Sequence, residues 1–295
     1  MPTAQANNIE IEYETFGNPS AEPILLIAGN SAQMFYWREE FCTQLAQFGF
    51  WVIRYDNRDT GLSTKFDSWD DIDLSEIFLA IQKEKEVDVP YTIFDMAADA
   101  MGLLDFLKID KAHIFGHSLG AYMSLIIALR YPSRILSLIP FSTNAGDPQF
   151  PLLTTVFASS SPIPDINTNY EEYIAWSVSF QKKLEGGVFP FDENQARKYV
   201  TRRIERSYSK LTTIRHTIAI RLGGNLKSKL KDIKIPTLII QGTEDVIVPV
   251  DGGEDVAKSI PGAKFLLIEG MGHNYHPQVY SQIINAVVKN TCKKY

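Results

Sequence analysis

The stretch that most constrains what this chain can fold into is Gly116-His117-Ser118-Leu119-Gly120. It has the form Gly-x-Ser-x-Gly, in which a serine sits on a sharp turn between a strand and a helix. The flanks fit that context. Ala112-His113-Ile114-Phe115 is short and mostly apolar, as a buried strand is, and Ala121 to Arg130 is rich in helix formers. Such a turn lifts the hydroxyl clear of the sheet and aims the free N–H groups of the helix N-terminus at whatever bonds to the serine. Glycines are expected at 116 and 120 because a Cβ at either would crowd the turn and the helix passing the strand. A glycine-flanked serine can also simply cap a helix, so the motif needs partners elsewhere in the chain.

At 295 residues the chain is long enough to bury a large core. Apolar residues make up 45% and charged residues 22%, a composition typical of globular domains. The net charge of −6 argues against a nucleic-acid partner. Cys42 and Cys292 form no disulfide framework, and their positions suggest neither catalysis nor metal binding. Met1 to Gln5 lacks a basic segment leading into an apolar run, so no signal peptide is expected. No apolar run approaches the ~20 residues of a membrane span. A soluble cytoplasmic protein is the expectation.

Along the chain, Ile9 to Glu14 alternates apolar and acidic residues and reads as a half-exposed edge strand. Pro23 to Ala28 is a continuous apolar run that fits a buried central strand. Trp37, Phe41, Leu45 and Phe48 recur at helical spacing before Gly49. Trp51 to Tyr55 is the next strand, Asp56 to Ser63 a polar loop, and Tyr91 to Leu107 a helix leading into the Ser118 turn. Lys83 to Glu86 reads as a solvated face. Strands follow at Ile135 to Ile139, Ile235 to Gln241 and Lys264 to Ile268, with helices at 253–259 and 277–289. Strands alternating with helices imply α/β architecture, a mainly parallel sheet flanked by helices. The rhythm breaks over 145–230, which carries Pro148, Pro151, Pro162, Pro164 and helical patterns. Residues 1–144 and 231–295 therefore read as the core and 145–230 as a helical cap insertion. In open α/β sheets ligands bind beyond the carboxyl ends of the strands, so the insertion is expected over the site.

A serine hydroxyl needs a general base, and the base needs a partner that fixes its tautomer. Of the five histidines, His113 lies within a strand, His117 adjoins the serine and would point elsewhere, and His216 lies in the insertion. His273 follows the last strand in Ile268-Glu269-Gly270-Met271-Gly272-His273, where the glycines free the loop to deliver an imidazole. It is the chosen base, with His276 as runner-up. A metal site from His273 and His276 lacks a third ligand. The acid should follow a strand between serine and histidine in sequence. Gln241-Gly242-Thr243-Glu244-Asp245 does so, and Asp245 is the choice with Glu244 as fallback; a turn aspartate is the plain alternative. Acyl transfer also needs oxyanion donors. These are the backbone N–H of Leu119 and that of Asn30, in the loop after the strand ending at Ala28. Asn30 otherwise reads as an ordinary turn residue.

With these residues in hand, the sequence resembles the α/β-hydrolase superfamily, and within it the aclacinomycin methylesterase type. Besides the serine turn, the likeness rests on Tyr55-Asp56-Asn57-Arg58-Asp59-Thr60-Gly61-Leu62-Ser63, similar to the family's Asp-x-Arg-x-x-Gly-x-Ser loop, on the loop ending at His273, and on Pro236 to Ile240 with Asp245. It spans about two-thirds of the chain. It implies an esterase with Ser118, Asp245 and His273 as triad, no metal and no organic cofactor. Two positions depart from the pattern. Many relatives have His-Gly where this chain has Ala28-Gly29, which removes a structural hydrogen bond. Asp59 stands where many relatives have glycine. Asp56 and Arg58 read as loop-organising.

The insertion holds Phe150, Leu152, Leu153, Val156, Phe157, Trp176, Phe180, Phe189 and Phe191. They would favour a small or medium apolar ester, or they form the insertion's own core. Arg197, Arg202, Arg203, Arg206, Arg215 and Arg221 read as a solvated helical face, and Lys227 to Lys231 likewise. The expected activity is hydrolysis of a small-molecule carboxylic ester through an acyl-enzyme. The same triad would serve amide or lactone hydrolysis or cofactor-free perhydrolysis, and a ligand receptor could keep the fold with little turnover. Haloalkane dehalogenase and epoxide hydrolase chemistry is disfavoured, since those relatives use Asp where this chain has Ser118.

Overall fold

Six apolar-flanked parallel strands set the frame, and the run Ile24-Leu25-Leu26-Ile27 shows how. All four side chains are buried. Ile24 and Leu26 face one apolar cluster, Leu25 and Ile27 the other. Because successive side chains in a strand point to opposite faces, an unbroken apolar run requires helices on both sides. The computed structural model describes residues 2–69, 77, 79–81, 83, 85–147, 163–209 and 211–291.

The strands are β1 (Thr3–Ala6), β2 (Ile9–Phe16), β3 (Glu22–Ile27), β4 (Phe50–Tyr55), β5 (Ala112–His117), β6 (Ile135–Phe141), β7 (Leu238–Gly242) and β8 (Lys264–Ile268). They form one sheet in the order β1-β2-β4-β3-β5-β6-β7-β8. β1 and β2 are antiparallel additions, and β4 through β8 run parallel. The predicted edge strand is thus second from the edge. β1 covers it, pairing Thr3 with Glu12 and Ala6 with Ile9 across a turn in which Asn7 and Asn8 both have positive φ. Asparagine tolerates that conformation.

Among the described residues the α-helices with defined bounds are α1 (Glu39–Gln47), α2 (Ile93–Phe106), α3 (Leu119–Arg130), α4 (Tyr170–Leu184), α5 (Glu193–Arg206), α6 (Thr212–Gly223), α7 (Val250–Ser259) and α8 (Tyr280–Asn290). α1 and α8 supply Phe41, Leu45, Ile283 and Val287 to one face of the sheet. α2, α3 and α7 supply Leu104, Met123 and Val256 to the other. α2 begins in a capping box between Thr92 and Asp95, which satisfies free N–H groups of its first turn.

α4, α5 and α6 lie in the connection from β6 to β7. α4 and α5 share a small cluster of Ile174, Val178 and Val200, with Phe191 against it. Ala219 and Ile220 of α6 belong instead to the large cluster beneath α2 and α3. Among the described residues no helix is long and apolar enough to cross a membrane.

The strand order reverses direction between β3 and β5: the chain leaves β3 for β4 on one side and continues through β5 to β8 on the other. A crevice opens at the carboxyl ends where such a reversal occurs. The loops after β3 and β5 flank it.

Candidate active site

Ser118 stands immediately after β5 with φ 55° and ψ −116°, a strained conformation for a residue with a Cβ. Its N–H donates to the Phe141 carbonyl (2.9 Å), so the turn is pinned to the end of β6. The flanking glycines are needed for close approach. A Cβ on Gly116 would lie inside the Gly120 carbonyl, and one on Gly120 inside the Ile27 carbonyl at the end of β3. Helix α3 can therefore start almost on top of two strand ends. The Ser118 side chain is half-buried, and its hydroxyl makes no hydrogen bond among the described residues.

Asp245 and His273 come together. His273 Nδ1–H donates to both carboxylate oxygens, at 3.0 and 2.9 Å. This leaves Nε2 as the free acceptor. The Asp245 side chain is fully buried. Its oxygens also accept the N–H groups of Ile247 (2.8 Å) and Val248 (2.9 Å) and the Gln241 amide (3.1 Å). Burial alone would raise the Asp245 pKa; the nearby His273, its hydrogen bond and the two backbone donors outweigh burial and hold it below the ordinary carboxylate value. Gln241 was not singled out by sequence reading. A buried glutamine on the strand leading into the acid's loop is the signal that points to it. Glu244, the fallback, is exposed and bonded to Thr243.

The N–H groups of Asn30 and Leu119 have no partner among the described residues. The Asn30 amide holds the loop to α6, donating to Thr217 Oγ1 (3.0 Å) and to the Thr213 carbonyl (3.3 Å). Asn57 Nδ2 donates to the Ala28 carbonyl at 3.1 Å, which fixes the strand end just before this loop.

Three other histidines are held by hydrogen bonds and packing away from this pair. His113 bonds Ser137 Oγ (2.8 Å) within the sheet. His276 stacks on Phe189 and caps the turn at Pro277. His216 Nδ1 accepts the Ser31 N–H (3.2 Å), so its Nε2–H donates to the Arg58 carbonyl (3.0 Å). Burial pulls the His216 pKa down to about 4, and it stays neutral. Among the described residues no group of three or more His, Cys, Asp or Glu could hold a metal.

The arginine run departs from the sequence expectation. Arg197 and Arg221 are exposed, but the side chains of Arg206 and Arg215 are withdrawn from solvent in ion pairs with the loop after β4. Arg206 pairs with Glu12 and with Asp56 (2.7 Å). Arg215 NH2 donates to Asp59 Oδ1 (2.8 Å), and Tyr91 donates to Asp59 Oδ2 (2.8 Å). Asp59 has φ 72°, a left-handed conformation that glycine adopts most readily. Burial raises the Asp59 pKa, but Arg215 and Tyr91 overcome this and hold it low. Asp56 accepts the N–H of Met34 (2.8 Å) and Leu62 (3.0 Å), and Arg58 grips Asp99 through two contacts of 2.6 Å. These residues organise the loop, as expected. Lys227 pairs with Asp147 and Asp255, and Leu230 is buried.

Of the aromatic residues read in 145–230, Trp176 stacks on Phe180, and Phe189 and Phe191 pack into apolar clusters. Phe150, Leu152, Leu153, Val156 and Phe157 lie outside the described residues, as do Pro148, Pro151, Pro162, Glu84 and Cys292.

Comparison with known proteins adds context. The family profile described as alpha/beta hydrolase fold matches residues 22–278. Rhodomycin D methylesterase DnrP of Streptomyces peucetius is 29% identical, with 99% of this chain and 98% of the relative covered. A putative carbamate hydrolase, RutD of Pantoea ananatis, is 24% identical over 88% of this chain and 86% of its own length. Among solved structures, the enol-lactonase of Burkholderia xenovorans LB400 superposes with a TM-score of 0.74 at 21% identity, covering 99% of this chain and 100% of that one. A meta-cleavage product hydrolase of Pseudomonas fluorescens IP01 reaches 0.76 at 19% identity, covering 98% and 97%.

Two outcomes are expected from this arrangement. Arg215→Met strands the Asp59 carboxylate and should cost about 3–5 kcal/mol by urea denaturation. The double variant Asp59→Gly, Arg215→Met should recover most of that loss; additive losses would contradict the pairing. The second concerns pH. The folded pKa of His216 lies below its unfolded value of ~6.5, so its contribution is intact above that value and is lost as pH falls toward about 4. The slope is up to ~1.4 kcal/mol per pH unit. His216→Gln should flatten the pH dependence of stability between those limits, and an unchanged slope would contradict it.

Proposed function

The chain belongs to the alpha/beta hydrolase fold family, and on that premise we propose that it is a serine hydrolase of carboxylic esters. The observation that carries the reading is the Asp245–His273 pair. A buried carboxylate held ionised by its surroundings fixes the imidazole in the tautomer whose Nε2 can accept a proton. The pair stands at the same end of the sheet as the left-handed Ser118.

In this reading Ser118 Oγ attacks the ester carbonyl carbon while His273 Nε2 takes the hydroxyl proton. The carbonyl oxygen becomes an oxyanion, held by the N–H groups of Asn30 and Leu119. Asp245 stabilises the imidazolium. Collapse of the intermediate breaks the bond to the alcohol oxygen, and His273 returns the proton to it. Water then gives a proton to His273 and attacks the acyl carbon; collapse breaks the bond to Ser118 Oγ, His273 returns the proton to Oγ, and the acid is released. Among the described residues the Ser118 hydroxyl makes no hydrogen bond; catalytic contacts of this kind tighten once substrate is bound.

Residues 145–230 are read as a cap over this site, with 1–144 and 231–295 as the core. The ion pairs from Arg206 and Arg215 and the bonds from Thr213 and Thr217 to Asn30 support that reading. The likeness to a protein named rhodomycin D methylesterase supports a methyl or other short alkyl ester with an apolar acyl body. A free, buried Cys42 accords with a reducing, cytoplasmic setting.

The test is hydrolysis of a panel of alkyl esters that vary in acyl and alcohol size, with lactone and carbamate members. An alkyl ester is expected to give the highest kcat/KM, and Ser118→Ala to lower kcat by at least ~10³-fold. Preference for a lactone or carbamate would change the substrate class but keep the triad. Full activity in Ser118→Ala would overturn the assignment.

A further inference from the structure

His117 has a role that a spacer between strand and nucleophile does not need. Its Nε2 lies 2.8 Å from the main-chain carbonyl of His273. A carbonyl only accepts, so Nε2 carries the proton and donates. Its Nδ1 is then an unprotonated acceptor, and it has no partner among the described residues. The ring has little freedom. It stacks on Tyr36 (4.6 Å, 21°) and meets the rings of Phe141 (4.8 Å) and His273 (4.7 Å). On the remaining side a Cβ added to Gly29 would sit 3.1 Å from Nδ1 and 3.3 Å from Ser118 Cβ. The imidazole is therefore wedged between the oxyanion loop, the nucleophile and the catalytic histidine.

We infer that His117 is a positioning residue for His273, setting the distance between nucleophile and base through one main-chain hydrogen bond. The inference rests on the reading of His273 as general base for Ser118. Its logic is the shortness of the path. His117 and Ser118 are covalent neighbours, so a bond from the His117 ring to the His273 main chain ties the two reacting residues together through a single side chain.

The loop that carries His273 needs such a tie. Gly270 has φ 75°, and the loop main chain is held at few other points. The Gly270 N–H donates to Thr243 Oγ1 (2.8 Å) and the Met271 carbonyl accepts the Glu244 N–H (2.9 Å), which anchors the loop to the segment after β7; the Asn274 N–H donates to the Leu184 carbonyl at the end of α4 (3.0 Å), which anchors it to the β6–β7 connection. Among the described residues, only the His117 hydrogen bond refers the loop's main chain to β5, where the serine sits. Charge on His117 would not serve this purpose. Burial, and then the neighbouring His273, push its pKa well below the ordinary value, so the ring remains a neutral donor at neutral pH.

The experiment compares three variants on the best alkyl ester of the panel, with folding monitored by thermal denaturation. His117→Phe keeps a stacked ring and removes the donor. It is expected to lower kcat about 10- to 100-fold, as a misplaced base would, while KM changes less than about 3-fold. His117→Gln carries an amide N–H at comparable reach and should restore kcat to within about 5-fold of the parent. His117→Asn, one methylene shorter, should fall with the Phe variant. If the Phe variant does not fold, the Gln–Asn contrast decides. Equal kcat for Gln and Asn, or a loss expressed in KM instead of kcat, overturns the positioning role. A parent enzyme whose activity survives Ser118→Ala would overturn the serine-hydrolase reading itself, and the inference with it. A parent dependent on Ser118 but indifferent to His117 would overturn only the inference.

Discussion

The closeness of α3 to the ends of β3 and β5 is the constraint on which the carboxyl end of the sheet depends. Two missing side chains permit it. Without a Cβ at 116 the Gly120 carbonyl can lie over β5, and without one at 120 the helix can rest on the Ile27 and Ala28 carbonyls. Once the helix starts there, its first N–H groups face the crevice beside β3, and the loop after β3 has to run past Ser118. The unpaired N–H groups proposed as the oxyanion pair at Asn30 and Leu119, the left-handed serine and the wedge occupied by His117 are consequences of that one close approach.

A second layer of order comes from charge. Helices α5 and α6 are held to β2 and to the loop after β4 by buried ion pairs, with Arg206 against Glu12 and Asp56 and Arg215 against Asp59. Such pairs are weak as net stabilisers but costly to break singly. They therefore fix position more than they add stability. Asp59 joins the two layers, since it occupies a backbone conformation that suits glycine and offsets the strain through Arg215 and Tyr91. His216, held between Ser31 and Arg58, extends the same connection to the loop after β3.

The strand–helix alternation and the serine turn were legible in the sequence because both are local. Apolar runs such as Ile24 to Ile27 announce two covered faces, and Gly-x-Ser-x-Gly announces its turn. What was not legible depends on distant partners. Thr3 to Ala6 is too short to stand out as a strand until Ile9 to Glu12 is laid beside it. Glu12 looked like the polar face of an edge strand, yet it is buried against Arg206, 194 residues away. Arg215 meets Asp59 across 156 residues. Nothing in a helical spacing of arginines separates a solvated guanidinium from one whose acid lies in another part of the chain. The pairing of Asp245 with His273 was anticipated, because both follow strands that end on the same side. The supporting bond from Gln241 and the bond from His117 were not, because they concern where side chains point.

The central claim is that Ser118 is made nucleophilic by His273. Reaction with a fluorophosphonate, followed by intact-mass analysis and peptide sequencing, tests this without knowledge of the substrate. A single adduct on Ser118 in the parent protein, lost in His273→Ala, is the expected result. An unreacted parent protein, or an adduct on Ser118 that forms equally fast in His273→Ala, would contradict it.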